Sequence, residues 1–147
     1  MKVYFDICCL KRPFDEQVQP RIVVETAAVL SLLEAASEGK IQPIRSVAHD
    51  LENSWNPDAK RAAAVQEWLI QQNPIIKTPS SVRQQTEVFM SHELGEFDAF
   101  HLAWAEYHQA SVLVTTDDNF IKRAGRLGDT IKVRVMDPIS LFRELNP

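Results

Sequence analysis

An α/β fold, doubly wound about a mostly parallel sheet, is expected from two features of this chain. Short, continuously apolar segments such as Val3-Tyr4-Phe5 and Val112-Leu113-Val114-Thr115 alternate with longer stretches of helical periodicity. Strands that are apolar on both faces and separated by helices belong to sheets covered on both sides. A chain of 147 residues, 45% hydrophobic and 24% charged, suits one such domain over residues 1–147.

The elements follow in order. Val3-Tyr4-Phe5 is a buried strand closed by Asp6, and the two prolines and mixed charges between Lys11 and Pro20 predict a loop. From Arg21 to Glu38, Ile22, Val29, Leu32, Leu33 and Ala36 form a helical stripe that Gly39 terminates. Ile41 to Ile44 is a brief strand. Ser46 then caps a helix whose expected inward face is Val47, Leu51 and Trp55. Ala59 to Gln72 is a helix with Ala62, Val65, Trp68 and Leu69 inward, and Ile75-Ile76-Lys77 is a short strand candidate. Ser81 to Leu94 is a helix that packs through Val82, Val88 and Phe89. Gly95 separates it from a helix over Glu96 to His108, which packs through Ala99, Leu102, Ala103 and Ala105. After the strand at Val112 come a helix from Asn119 to Arg126, a strand from Lys132 to Val135 and a last helix from Pro138 to Leu145.

Composition narrows the function classes. The most apolar segment, Ala27 to Ala36, is interrupted by Ser31 and Glu34 and is too polar to span a bilayer. The opening residues lack the apolar run of an export signal. The adjacent Cys8 and Cys9 are poorly placed for a structural disulfide and read as small buried residues of a cytoplasmic protein. The net charge of −4 argues against a broad basic docking face for nucleic acid. It does not exclude an RNA partner: if four carboxylates serve as metal ligands, the remaining acids balance the 16 bases.

In a doubly wound sheet, chemistry collects at the carboxyl ends of the strands where strand order reverses. Asp6 ends the first strand and Asp117 follows the strongest late one, so the two meet if those strands are neighbours. Converging carboxylates repel each other and stay ionised only beside a cation. Oxygen ligands favour Mg²⁺ or Mn²⁺ over zinc. No Cys-x-x-Cys pair, His pair at helical spacing or Gly-rich phosphate loop competes. Of the four histidines, His101 stands out because it lies one helical turn beyond Asp98 on the same side.

Three blocks carry a family resemblance. Lys2-Val3-Tyr4-Phe5-Asp6 resembles the opening strand of PIN domains, Glu96-Phe97-Asp98-Ala99-Phe100-His101-Leu102-Ala103 their helix start with the third acidic position, and Val112 to Phe120 their Thr-x-Asp strand-to-helix motif. The resemblance implies a three-layer α/β/α sandwich and a metal site of Asp6, Glu52, Asp98 and Asp117. The second acidic position falls on the helix after the second strand, where Asp50 and Glu52 are both available; the pattern favours Glu52. The resemblance further implies endoribonuclease action, often as a VapC-type toxin paired with an antitoxin protein and often as a homodimer.

Two positions depart from the family pattern. Cys8 stands where many members place Ser, Thr or Asn, and Asn119 where some have a further carboxylate. Taken singly, the acids also admit structural roles: Asp98 and Asp118 suit helix caps or first turns, and Glu52 a solvated helix face. Arg12, Lys122 and Arg123 are candidates for substrate phosphates, or else surface cations paired with Asp15, Glu16 or Asp118. Two rival functions follow. One is a PIN-like RNA- or partner-binding module with little turnover, suggested by Cys8 and Asn119. The other is an aspartate-dependent phosphatase, which needs a second aspartate at the position Cys8 occupies.

Overall fold

The computed structural model describes all of residues 1–147. Four parallel strands, β1 (Lys2–Phe5), β2 (Gln42–Ile44), β3 (Val112–Val114) and β4 (Arg134–Met136), form one sheet in the order β2-β1-β3-β4. Eight α-helices cover it: α1 (Ile7–Lys11), α2 (Pro20–Ser37), α3 (Val47–Ser54), α4 (Ala59–Leu69), α5 (Ser80–Ser91), α6 (Glu96–Tyr107), α7 (Asp118–Gly125) and α8 (Pro138–Leu145). The result is a three-layer α/β/α sandwich. None of its helices is long and apolar enough to cross a membrane.

The two-residue period of a strand explains the layers. Val3, Phe5, Val112 and Val114 face one core with Val29, Leu32, Val65, Leu69 and Leu141, contributed by α2, α4 and α8. Tyr4 and Leu113, one residue out of step, face the other core with Ala48, Phe89, Leu102, Trp104 and Phe120, from α3, α5, α6 and α7. The chain leaves β1 for β2 on one side and returns to β3 on the other, so strand order reverses between β1 and β3. These two are direct neighbours, in the register Phe5 opposite Val114.

Most of the expected elements form within a residue or two of their expected bounds, and four expectations change. The segment from Lys11 is not simply a loop: α1 runs to Lys11 and a 3₁₀ turn follows over Arg12–Phe14, before the irregular stretch up to α2. Ile75-Ile76-Lys77 is not a strand. It lies exposed, off the edges of the four-stranded sheet, and Pro74 and Pro79 bracket it. α3 turns a different face inward: Ala48, His49 and Asn53 are buried, whereas Leu51 and Trp55 are exposed. The reason is that α3 presents polar groups to the sheet end, while Trp55 packs edge-on against Phe97 outside the core, with ring centroids 5.3 Å apart. Val88, the third expected contact of α5, is likewise exposed, leaving Val82 and Phe89 as its anchors. Gly39 does end α2, at φ +77°, the left-handed conformation that favours glycine.

Candidate metal centre

The site begins where β1 stops. The Asp6 amide donates to the Val114 carbonyl at 2.9 Å, continuing the β1–β3 ladder by one bond, and the chain then turns into α1. The Asp6 side chain is buried at this corner, and its Oδ2 accepts the Thr115 hydroxyl at 2.8 Å. The same Thr115 oxygen accepts the Asp117 amide at 3.1 Å, so one hydroxyl fixes the first aspartate and the approach to the last. Burial pushes the Asp6 carboxyl above its usual range; the neighbouring His101 works against that rise and Glu52 adds to it.

Glu52 reaches the same corner from α3. Its Oε1 lies 2.9 Å from His101 Nε2, and Asp6 Oδ1 lies 3.8 Å from that nitrogen. Ligand atoms of Asp6, Glu52 and His101 all fall within 4.8 Å of one another, a group that could hold a metal ion. Asp50, the alternative to Glu52, points elsewhere: its carboxylate pairs with Arg45 at 2.7 Å. The helix is oriented by a capping box in which Ser46 Oγ accepts the Ala48 amide at 3.2 Å and His49 Nδ1 accepts the Ser46 amide at 3.0 Å.

Asp98 and Asp117 lie outside the 4.8 Å group but within its field. Asp98, in the first turn of α6, has its carboxyl pushed up to about 7, first by burial and then by the charges of Asp6 and Asp117, with Glu52 adding to them. Four acids from four parts of the chain therefore share one electrostatic neighbourhood. Asp117 is the N-cap of α7, its Oδ1 accepting the Asn119 and Phe120 amides at 2.9 and 3.3 Å. Of the two structural roles open to Asp118, the cap thus falls to Asp117 and the first-turn position to Asp118. Asp118 is exposed there and pairs with Arg21 at 2.8 Å.

The cations divide. Arg12 pairs with Asp15 at 3.0 Å and with the buried Glu25 at 3.2 Å, and it lines a polar cleft of about 380 Å³ shared with Arg21, Thr116 and Asp117. Lys122 and Arg123 are exposed in the last turn of α7. Cys9 is buried as expected. Cys8 is only partly so: its thiol lies 3.4 Å from both Asp6 Oδ2 and Thr115 Oγ1, and its sulfur accepts the Thr116 amide at 3.3 Å. The short bond to Asp6 thus comes from Thr115, which is not among the residues expected at the site. The Thr-x-Asp pattern was the available signal for it. Tyr4 is strand core by its ring, yet its hydroxyl contacts both Ser46 and His101, at 2.7 and 2.6 Å.

The donors here are mostly carboxylate oxygens with one imidazole, a set suited to a hard divalent cation. The strained ionisation of Asp98 has the same implication, since a cation would relieve the mutual repulsion that lifts it. Fold and site together define an α/β/α protein with a carboxylate centre at the switch point of a parallel sheet. A family model described as PIN domain matches residues 15–126, and the chain belongs to the PIN-domain family, whose members are generally nucleases that use divalent metals. The match begins beyond Asp6, which enters the site through the pairing of β1 with β3. A search of curated proteins gave no match.

Proposed function

We infer that this protein is a metal-dependent endoribonuclease that hydrolyses RNA phosphodiester bonds, with Asp6, Glu52, Asp98 and Asp117 holding Mg²⁺ or Mn²⁺ directly or through water. The observation that carries the reading is the convergence of Asp6 and Glu52, whose ligand oxygens lie within 4.8 Å of each other and of His101, with Asp98 and Asp117 in the same field. A bound divalent ion supplies Lewis acidity toward the phosphate and lowers the pKa of a water.

The chain's own residues prepare that chemistry. Thr115 and the β1–β3 pairing fix Asp6, and the α7 cap fixes Asp117 through Oδ1, leaving its second oxygen free of that cap. Lys122 and Arg123 are suited to the phosphates flanking the cut. Arg12 would join them from the cleft beside Asp117 by exchanging an acidic partner for a phosphate. The rival reading, a binding module without turnover, rests on Cys8 and Asn119. It is weakened by Thr115, which supplies the short hydrogen bond to Asp6 that Cys8 cannot. The phosphatase reading lacks its second aspartate.

By the same family likeness we read residues 1–147 as one domain of a cytoplasmic, homodimeric protein that acts as the toxin of a toxin–antitoxin pair. Cleavage of single-stranded and structured RNA with Mn²⁺, against an EDTA control and Asp6→Asn, tests the activity. Cation-dependent cutting lost in Asp6→Asn is the expected result, and cutting that survives both sinks the proposal. The toxin role is tested separately, by induced expression with and without the product of any short neighbouring reading frame.

A further inference from the structure

His101 has two possible parts in the centre. Its Nε2 is either a ligand atom or a donor that holds a ligand in place. Resting on the reading of Asp6 and Glu52 as metal ligands, we propose that His101 is a positioning residue whose Nε2–H orients Glu52, its tautomer set by a one-way hydrogen-bond chain from Ser46 through Tyr4.

The chain can be followed proton by proton. Ser46 is buried, and its Oγ accepts the Ala48 amide at 3.2 Å. Its own proton has one acceptor within reach, the Tyr4 hydroxyl oxygen at 2.7 Å. Tyr4, fully buried, must then direct its proton to His101 Nδ1 at 2.6 Å. With Nδ1 accepting, the ring proton of neutral His101 sits on Nε2, which faces Glu52 Oε1 at 2.9 Å. His49 does not interfere. It stacks on Tyr4 with centroids 4.3 Å apart, but its Nδ1 accepts the Ser46 amide and its Nε2 donates to the Phe5 carbonyl at 2.6 Å.

Ligation through Nε2 would reverse every link. Nδ1 would carry the proton and donate to Tyr4, Tyr4 would donate to Ser46, and the Ser46 proton would be left in the core without an acceptor. In the ion-free protein that tautomer would also leave a bare Nε2 lone pair facing the Glu52 oxygen at 2.9 Å. Both costs are avoided if His101 stays a donor, and metal sites commonly orient their ligands through such outer partners. The chain joins β1, α3 and α6, so Glu52 is aligned by the strand that ends in Asp6.

Long-range ¹H–¹⁵N spectra of the wild-type protein report which imidazole nitrogen carries a proton. They are recorded with EDTA and with saturating Mg²⁺, which is diamagnetic. The expected result is a protonated Nε2 and an unprotonated Nδ1 on His101 in both samples; a protonated Nδ1 in either, alone or together with Nε2, overturns the proposal. Titration calorimetry with Mn²⁺ gives a second readout. Tyr4→Phe should weaken binding about 10- to 100-fold, and His101→Gln, which keeps an N–H donor, should lose less than His101→Leu. Unchanged affinity in folded Tyr4→Phe counts against the proposal, and if that variant does not fold the wild-type spectra decide. Should neither ion bind wild-type protein, the metal reading fails, while the tautomer in the EDTA sample still decides the role of the chain from Ser46.

Discussion

Thr115 and Asp6, 109 residues apart in sequence, are joined by a 2.8 Å hydrogen bond that closes the end of the β1–β3 pair. Thr115→Val keeps the shape and removes the donor, leaving a buried carboxylate and the Asp117 amide each one partner short. We expect a stability loss of about 1–3 kcal/mol by urea denaturation and a fall of about tenfold or more in Mn²⁺ affinity. Thr115→Ser should restore most of both. A Val variant with wild-type stability and affinity would show that Asp6 does not depend on this hydroxyl.

Asp6→Asn and Asp98→Asn each remove one charge at nearly constant volume. If both serve one centre, each single variant loses most RNA cleavage and the double variant is little worse than the worse single, because residues acting as one unit do not contribute independently. Initial rates with Mn²⁺, with folding checked by circular dichroism, measure this. Wild-type rates in folded Asp6→Asn would remove Asp6 from the site.

Glu52 and Asp50 are separated by what they face. Glu52→Gln should retain the fold and lose most metal affinity, while Asp50→Asn, which weakens the pair with Arg45, should keep metal affinity at some cost in stability. Calorimetric titration of both variants decides, and the reverse ranking would move the second ligand to Asp50.

The stability of the ion-free protein should fall as pH rises. The Asp98 carboxyl sits at about 7 in the fold against 3.8 as its ordinary value, so the folded state holds a proton that the unfolded chain releases earlier. This contribution is intact below about pH 4 and is lost progressively as pH rises through about 7. The buried Asp6 acts in the same direction. Melting with EDTA at pH 5 and pH 8 should show a lower midpoint at pH 8, and Mn²⁺ should raise the midpoint most at pH 8 by binding the ionised native state. Equal midpoints with EDTA, and equal responses to Mn²⁺, would contradict the shared field.

Asp117→Asn and Asp118→Asn distinguish cap from surface pair. Asn caps about as well as Asp, so Asp117→Asn should leave the fold intact while weakening metal binding. Asp118→Asn breaks only the exposed contact with Arg21 and should change neither melting nor cleavage. Loss of activity in Asp118→Asn with retention in Asp117→Asn would exchange their roles.

The layered fold was legible in the sequence because its two central strands are apolar over Val3-Tyr4-Phe5 and Val112-Leu113-Val114 and its helices are punctuated by Gly39, Ser46 and Gly95. Asp6 and Asp117 were legible as strand-end acids because parallel sheets gather function at those ends. The orientation of α3 was not. An apolar stripe of Val47, Leu51 and Trp55 suggests an inward face, but the helix is turned by its capping box and by the contacts of Glu52 and Asn53, which periodicity does not register. The cap at Asp117 was missed for a related reason: a strand-end carboxylate can serve the following helix and a shared site with different oxygens. The strand expected at Ile75 failed because local apolarity says nothing about whether a sheet edge is near. Tyr4, Ser46 and His101 became a connected group only in three dimensions, since they lie on three different elements.

The pairing of β1 with β3 also sets when the centre comes into being during synthesis. Asp6 emerges from the ribosome more than 100 residues ahead of Thr115, which bonds it, and of Asp117. At the usual pace of about 5–20 residues per second, β1 must wait for several seconds with its inner edge unpaired. A nascent chain therefore has no complete acidic cluster until Asp117 has been made, and the four carboxylates first meet only after that point.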